Sequence, residues 1–181
     1  MKKTLVFILI IIPLLSFSQK RKKKDNVNPC DVVALQYDEM TDVYRANIPD
    51  ITNMREVIWK GKGYETMYNI SLSKSVIEEI NYTRVSLMGG SNVSLRGLKG
   101  LFIKLSNDEI LRFTDIDIRS SYVSDYYSNY ADLTLTEEIV NKLKEHKIIK
   151  FNLGNISFDI TEKDSELFRK YVECLSNQNT P

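Results

Sequence analysis

The sequence predicts a mainly β protein: an antiparallel β-sandwich-like domain with a short helix before the last hairpin and a C-terminal helix. Three observations carry this. Ile149, Phe151 and Leu153 alternate with polar residues, Ile156, Phe158 and Ile160 do the same, and Gly154-Asn155 stands between the two runs. Period-two alternation on both sides of a Gly-Asn pair marks an antiparallel hairpin. Ala131, Leu133 and Leu135 alternate just upstream, whereas Leu167, Phe168, Tyr171, Val172 and Leu175 fall at helical spacing just downstream. A hairpin with an Ile, Phe and Leu face must be covered, so the rest of the chain has to supply a second layer.

Taken in order, residues 1–18 read as a secretory signal peptide. Lys2 and Lys3 precede an apolar run from Leu5 to Leu15, and Ser16-Phe17-Ser18 supplies small residues before Gln19, the expected first residue after cleavage. The apolar run is shorter than the roughly 20 residues needed to cross a bilayer, so no stable membrane span is expected. Residues 19–29 form a basic, flexible leader. The dense positive charge from Lys20 to Lys24 resists translocation, which leaves an uncleaved N-terminal membrane anchor as an alternative. Residues 30–176 are expected to form a single β-rich domain, and residues 177–181 a tail.

Seven of the 25 Lys and Arg lie in residues 1–24, leaving 18 against all 24 Asp and Glu, a net charge of −6 for the remainder. A domain of that sign is a poor nucleic-acid partner, which would need a basic face. Cys30 and Cys174 stand near the two ends of the exported part. In an oxidising compartment such a pair is expected to form a disulfide, the alternative being that Cys174 is a buried helix residue.

From Asp31 onward the pattern is of short strands and turns. Val33, Leu35 and Tyr37 alternate, residues 38–42 turn, and residues 43–48 return until Pro49, which cannot donate to a ladder. Residues 54–59 are a strand candidate. Gly61 and Gly63 then lead into a strand over 64–72. Val76, Ile77 and Ile80 suggest a short helix over 73–80. A strand over 82–88 is expected to end at Gly89-Gly90-Ser91-Asn92, with a short strand over 93–95 and a turn between Gly97 and Gly100. Residues 101–105 and 110–118 predict another hairpin. Its second strand changes phase, with Leu111 and Phe113 on one parity and Ile116 and Ile118 on the other, so a bulge is expected near Thr114-Asp115. Thr134, at capping-box spacing from Glu137, or Thr136 starts the short helix, whose stripe is Ile139, Val140 and Leu143. Thr161 precedes the last helix.

Asp38-Glu-Met-Thr-Asp42, Leu101-Phe-Ile-Lys-Leu105, Leu135-Thr-Glu-Glu-Ile-Val-Asn-Lys-Leu143 before Ile148-Ile-Lys-Phe151, and a terminal helix ending in Cys174-Leu175 together resemble a class of small exported bacterial β-sandwich proteins. The resemblance covers most of residues 30–175. It implies a β-sandwich with helical additions and no activity.

Chemistry-bearing patterns are few. His146 is the single histidine, so His-dependent triads and His-rich zinc sites are not expected; at a helix end it serves as a dipole partner. No catalytic residue, metal or cofactor is predicted. The glycines match neither a nucleophile elbow nor a phosphate-cradling loop. Asp115 and Asp117 would project from one face of a regular strand, suited to acid–base work or to calcium, but Arg112 and Arg119 nearby suggest a solvent-side charge ladder. The sequons at Asn69, Asn81, Asn92 and Asn155 are read as chance in an Asn- and Ser-rich chain.

The most distinctive composition lies between Ser120 and Tyr130, where Tyr122, Tyr126, Tyr127 and Tyr130 interleave with Ser, Asp and Asn. Binding loops use this mixture, because Tyr offers a large amphipathic surface at low entropy cost. The same residues suit an exposed β-arm. The expectation is therefore an exported, non-enzymatic β-domain, a binding or cell-envelope accessory protein with a protein or glycan partner. A hydrolase using acidic residues is the alternative from another class.

Overall fold

The structure, a computed structural model, describes residues 28–53, 68–77, 80–123 and 125–178. The strand candidate over 54–59, the turn at Gly61-Lys62-Gly63, the start of the expected 64–72 strand, the signal peptide and most of the basic leader lie outside the described residues.

Among the described residues, the chain forms two antiparallel sheets and two α-helices. The larger sheet contains β1 (Ala34–Asp38), β2 (Val43–Asn47), β3 (Ile51–Asn53), β4 (Tyr68–Ile77), β5 (Ile80–Ser91), β8 (Arg119–Val123) and β9 (Tyr126–Leu135). Its order is β1-β2-β4-β5-β9-β8, with β3 also paired to β4. The smaller sheet contains β6 (Lys99–Leu105), β7 (Ile110–Asp117), β10 (Ile148–Leu153) and β11 (Ile156–Asp159), in the order β11-β10-β6-β7. Helix α1 (Glu137–Glu145) precedes the β10–β11 hairpin, and α2 (Glu162–Ser176) follows it. The inward faces of both sheets and the apolar stripe of α2 share one core, from Ile70, Leu87 and Leu133 through Ile103, Phe151 and Phe158 to Phe168 and Val172. This is the mainly β, sandwich-like arrangement that the alternation predicts, with the helices where their stripes place them.

Several local expectations hold for their stated reasons. Gly154 takes φ +56°, a left-handed conformation that glycine adopts without a Cβ clash, and Leu153 pairs with Ile156 across the tight turn. The phase change in β7 is a bulge: Lys99 pairs with Asp117 and Leu101 with Phe113, so residues 114–116 face Gly100 alone. Thr161 caps α2 by accepting from the Asp164 N–H at 3.3 Å. Of the two candidate caps for α1, it is Thr136 that accepts from the Ile139 N–H, at 3.4 Å, while Thr134 stays in β9.

Other expectations are corrected. Residues 73–77 continue β4 rather than forming a helix, and Ile80 opens β5. Ser75 is paired on one side with Arg45 and on the other with Tyr82, and ladders on both sides outweigh a helical spacing built from β-branched residues. Gly89-Gly90-Ser91 does not end the strand, because all three residues remain paired with β9. A Cβ at Gly89 would overlap the Phe158 ring at its Cε1 and Cζ, so glycine here allows the sheets to approach. Residues 93–95 form no strand; they make a bend that buries Leu95. In β10 the pairs Ile148–Leu105 and Lys150–Lys104 leave Ile149 as an extra residue, so Ile148 takes the buried position expected of Ile149.

Cys30 lies in a short 3-10 turn, Pro29–Val32, and is disulfide-bonded to Cys174 on α2, with their Cα atoms 5.2 Å apart. The bridge spans a separation of 144 residues. Just beyond α2, the Gln178 carbonyl accepts from Lys74 Nζ of β4 at 2.8 Å, which ties the start of the tail to the larger sheet.

Candidate binding surface

The tyrosine-rich stretch folds as the β8–β9 hairpin, with β8 at one edge of the larger sheet. Aromatic and β-branched residues favour that pleated conformation, and the pairing of Val123 with Tyr126 sets the register at the tip. The register decides which rings meet. Tyr122 is directly opposite Tyr127, and their ring centroids are 5.1 Å apart at a tilt of 60°. Tyr122 is 64% exposed and Tyr127 is half-buried.

Tyr130 belongs to the other face. It is opposite Arg119, whose guanidinium carbon lies 4.6 Å above the ring centroid, a cation–π contact. Arg119 also forms an ion pair with Asp132, and Asp132 pairs in turn with Arg84 at 2.8 Å. Tyr126, four residues from Tyr130 on the same strand, shares its parity and is half-buried. The four tyrosines therefore divide in two: Tyr122 with Tyr127 on one face, and Tyr126 with Tyr130 and Arg119 on the other.

At the root of the hairpin lies a buried polar knot. The Asn129 side chain is fully buried, and its Oδ1 accepts from the Leu95 N–H at 2.9 Å and from the Ser120 hydroxyl. Its Nδ2 donates to Ser91 Oγ at 2.9 Å and to the Val93 carbonyl at 3.1 Å. With every polar atom engaged, the knot fixes β8, β9 and the 91–95 bend relative to one another. The tyrosines thus stand on a pre-organised base rather than on a free loop. Nothing in the composition marks Asn129; its inward parity, two residues before Ala131, was the available signal.

Asp115 and Asp117 do not form a matched pair on a regular strand, because the bulge falls at Asp115. Both are exposed, and Asp117 faces Lys99 at 3.7 Å. The expected ladder through Arg119 is absent, since that side chain turns to Asp132. Among the described residues, no group of three His, Cys, Asp or Glu is arranged to hold a metal ion. His146 caps α1 through its backbone N–H, which donates to the Lys142 carbonyl at 2.9 Å. At the far edge of the larger sheet, Tyr37 and Tyr44 stack at 4.5 Å, and Tyr37 donates to Asp42 at 2.9 Å.

Comparisons with protein-family models, curated proteins and solved structures give no significant match. The likeness to small exported β-sandwich proteins therefore rests on the sequence patterns alone. Among the described residues, no helix is long and apolar enough to cross a membrane.

Proposed function

We propose that this protein is an exported, non-enzymatic binding domain whose contact surface is the tip of the β8–β9 hairpin. The observation that carries the proposal is the Tyr122 ring on edge strand β8, 64% exposed and paired with the Tyr127 ring on β9, above a root locked by Asn129. Rigid amphipathic rings lose little entropy on contact, so they favour association with a protein or glycan surface. The Cys30–Cys174 bridge supports export, because such bridges persist in oxidising compartments.

Two measurements test this. Mass spectrometry of the native protein should find Gln19 at the N-terminus; an intact Met1 would remove both cleavage and the proposed compartment. A photo-crosslinking residue at position 122 should capture a partner that the Tyr122→Ala/Tyr127→Ala double variant, folded as the native chain, no longer retains. Unchanged retention by that variant would move the contact surface elsewhere.

A further inference from the structure

We propose that the outer face of the smaller sheet is a second binding site, independent of the hairpin, for an acidic sugar unit: a uronate within an anionic polysaccharide. Register places Ser157, Asn152, Phe102 and Arg112 directly opposite one another across β11, β10, β6 and β7. The adjacent row is Asp159, Lys150, Lys104 and Ile110. Opposed residues share a face. This face points away from the core, since Leu101, Ile103, Phe151 and Leu153 between them are fully buried. Phe102, Lys104, Ile110, Arg112, Lys150 and Asn152, with Gly154, line a groove of about 360 Å³. That volume lies within the usual range for small-ligand sites, about 300–1,000 Å³.

Charge and shape together select the occupant. In a domain of net negative charge, three cations converge on one groove. Lys104 and Lys150 pair with Asp108 at 2.7 Å and Asp159 at 3.0 Å, but those carboxylates are 84% and 80% exposed, so solvent and a competing anion can exchange with them. Arg112 makes no hydrogen bond or ion pair with any described residue. Its planar fork matches a carboxylate in a bidentate contact. Beside it, the Phe102 ring is backed by main chain: a Cβ at Gly100 would lie 3.1 Å from its Cε2. The C–H face of a pyranose ring can rest on such a ring. On the other side of Phe102, Asn152 Oδ1 accepts from the Ser157 hydroxyl at 2.9 Å, leaving its amide N–H groups to donate to a sugar hydroxyl. A neutral sugar would leave the cations unused, and a simple phosphate would leave Phe102 unused.

The test is calorimetric titration of the chain from Gln19 with a galacturonic acid tetrasaccharide. Saturable binding is expected, weakened by about tenfold or more in Arg112→Gln and in Phe102→Ala, and absent for the neutral galactose tetrasaccharide. Arg112→Lys, which keeps the charge and loses the fork, should also bind more weakly, and Tyr122→Ala should bind as the native chain. The unfolding midpoint of Arg112→Gln should stay close to native, because Arg112 is exposed. Phe102 is half-buried, so Phe102→Leu, which keeps the apolar bulk and loses the aromatic face, is measured beside Phe102→Ala and should also bind more weakly. Absence of binding would overturn the proposal. So would binding that survives both groove variants, or that disappears only when Lys20, Lys22, Lys23 and Lys24 are replaced by Gln. Competition by inorganic phosphate as effective as by galacturonate would reduce the site to a simple anion contact and overturn the sugar assignment.

Discussion

The hydroxyl of Tyr68 on β4 donates to Asp164 Oδ2 in the first turn of α2 at 2.7 Å, across 96 residues of chain. The same hydroxyl accepts from the Thr161 N–H at 2.9 Å, and the Thr161 hydroxyl donates to Asp164 at 2.8 Å. One buried phenol thus seats the N-terminus of α2 on the larger sheet. Tyr68→Phe should destabilise the domain by about 1–3 kcal/mol, the scale of a hydrogen bond to a charged group. Chemical denaturation measures this, and an unchanged midpoint would mean that water replaces the contact without loss.

Gly89 and Phe158 set the spacing of the two sheets. Gly89→Ala should cost about 1–3 kcal/mol by overpacking. Phe158→Leu makes room, so the double variant should lose less than the sum of the single losses. Strict additivity would show that the ring is not what excludes a side chain at position 89.

Asn129 and Tyr122 belong to the same hairpin but predict opposite outcomes. Asn129→Ala strands buried donors and acceptors and should cost about 2–4 kcal/mol. Tyr122→Ala, at an exposed position, should fall within about 0.5 kcal/mol of native. Urea titrations of the two variants distinguish a scaffold residue from a contact residue. A large loss for Tyr122→Ala would assign its ring to stability.

Removing the bridge by Cys30→Ser with Cys174→Ser should lower stability by up to about 5 kcal/mol on the chain-entropy model for so long a loop. The urea dependence should steepen as well, because the unbridged unfolded chain exposes more surface. Unchanged slope and midpoint would contradict both expectations.

Acid should weaken the fold. A hydrogen bond from Lys142 holds the Glu109 carboxyl below the usual range, Arg169 does the same for Glu166, and Lys104 for Asp108. A depressed carboxylate binds its proton less readily in the folded chain than in the unfolded one. Its contribution is present above the unfolded value, about 4, and is lost as the pH falls through the folded value. Melting midpoints should therefore drop below about pH 4, and Glu166→Gln should flatten that drop. These groups lie at the surface, so added salt should shrink the effect. Identical pH profiles for native and Glu166→Gln would exclude Glu166 from it.

Local chemistry made much of the fold legible. The β10–β11 hairpin, the Thr161 cap and the bulge in β7 all follow from spacing within a few residues, whereas capping-box spacing favours Thr134 and it is the alternative, Thr136, that caps α1. What failed depended on distant partners. Gly89 and Gly90 resemble a turn until Phe158, far along the chain, is known to pack there. Val76, Ile77 and Ile80 fit a helical spacing until β2 and β5 are seen to flank them. The tyrosines were visible as a group, but only the hairpin register separates Tyr122 and Tyr127 from Tyr130. The basic groove was hidden for the same reason: Lys150 and Lys104 become neighbours only through the pairing of β10 with β6.

The position of the disulfide also imposes an order of events. Every strand of both sheets lies between Cys30 and Cys174. A chain synthesised only as far as the last of these strands cannot close the bridge, because its second sulfur lies further on, in α2. Until Cys174 has been made, Cys30 lacks its partner sulfur, so the bridge can close only in a chain that already contains every one of these strands. The link is thus a closure of the whole strand set and never of a part of it.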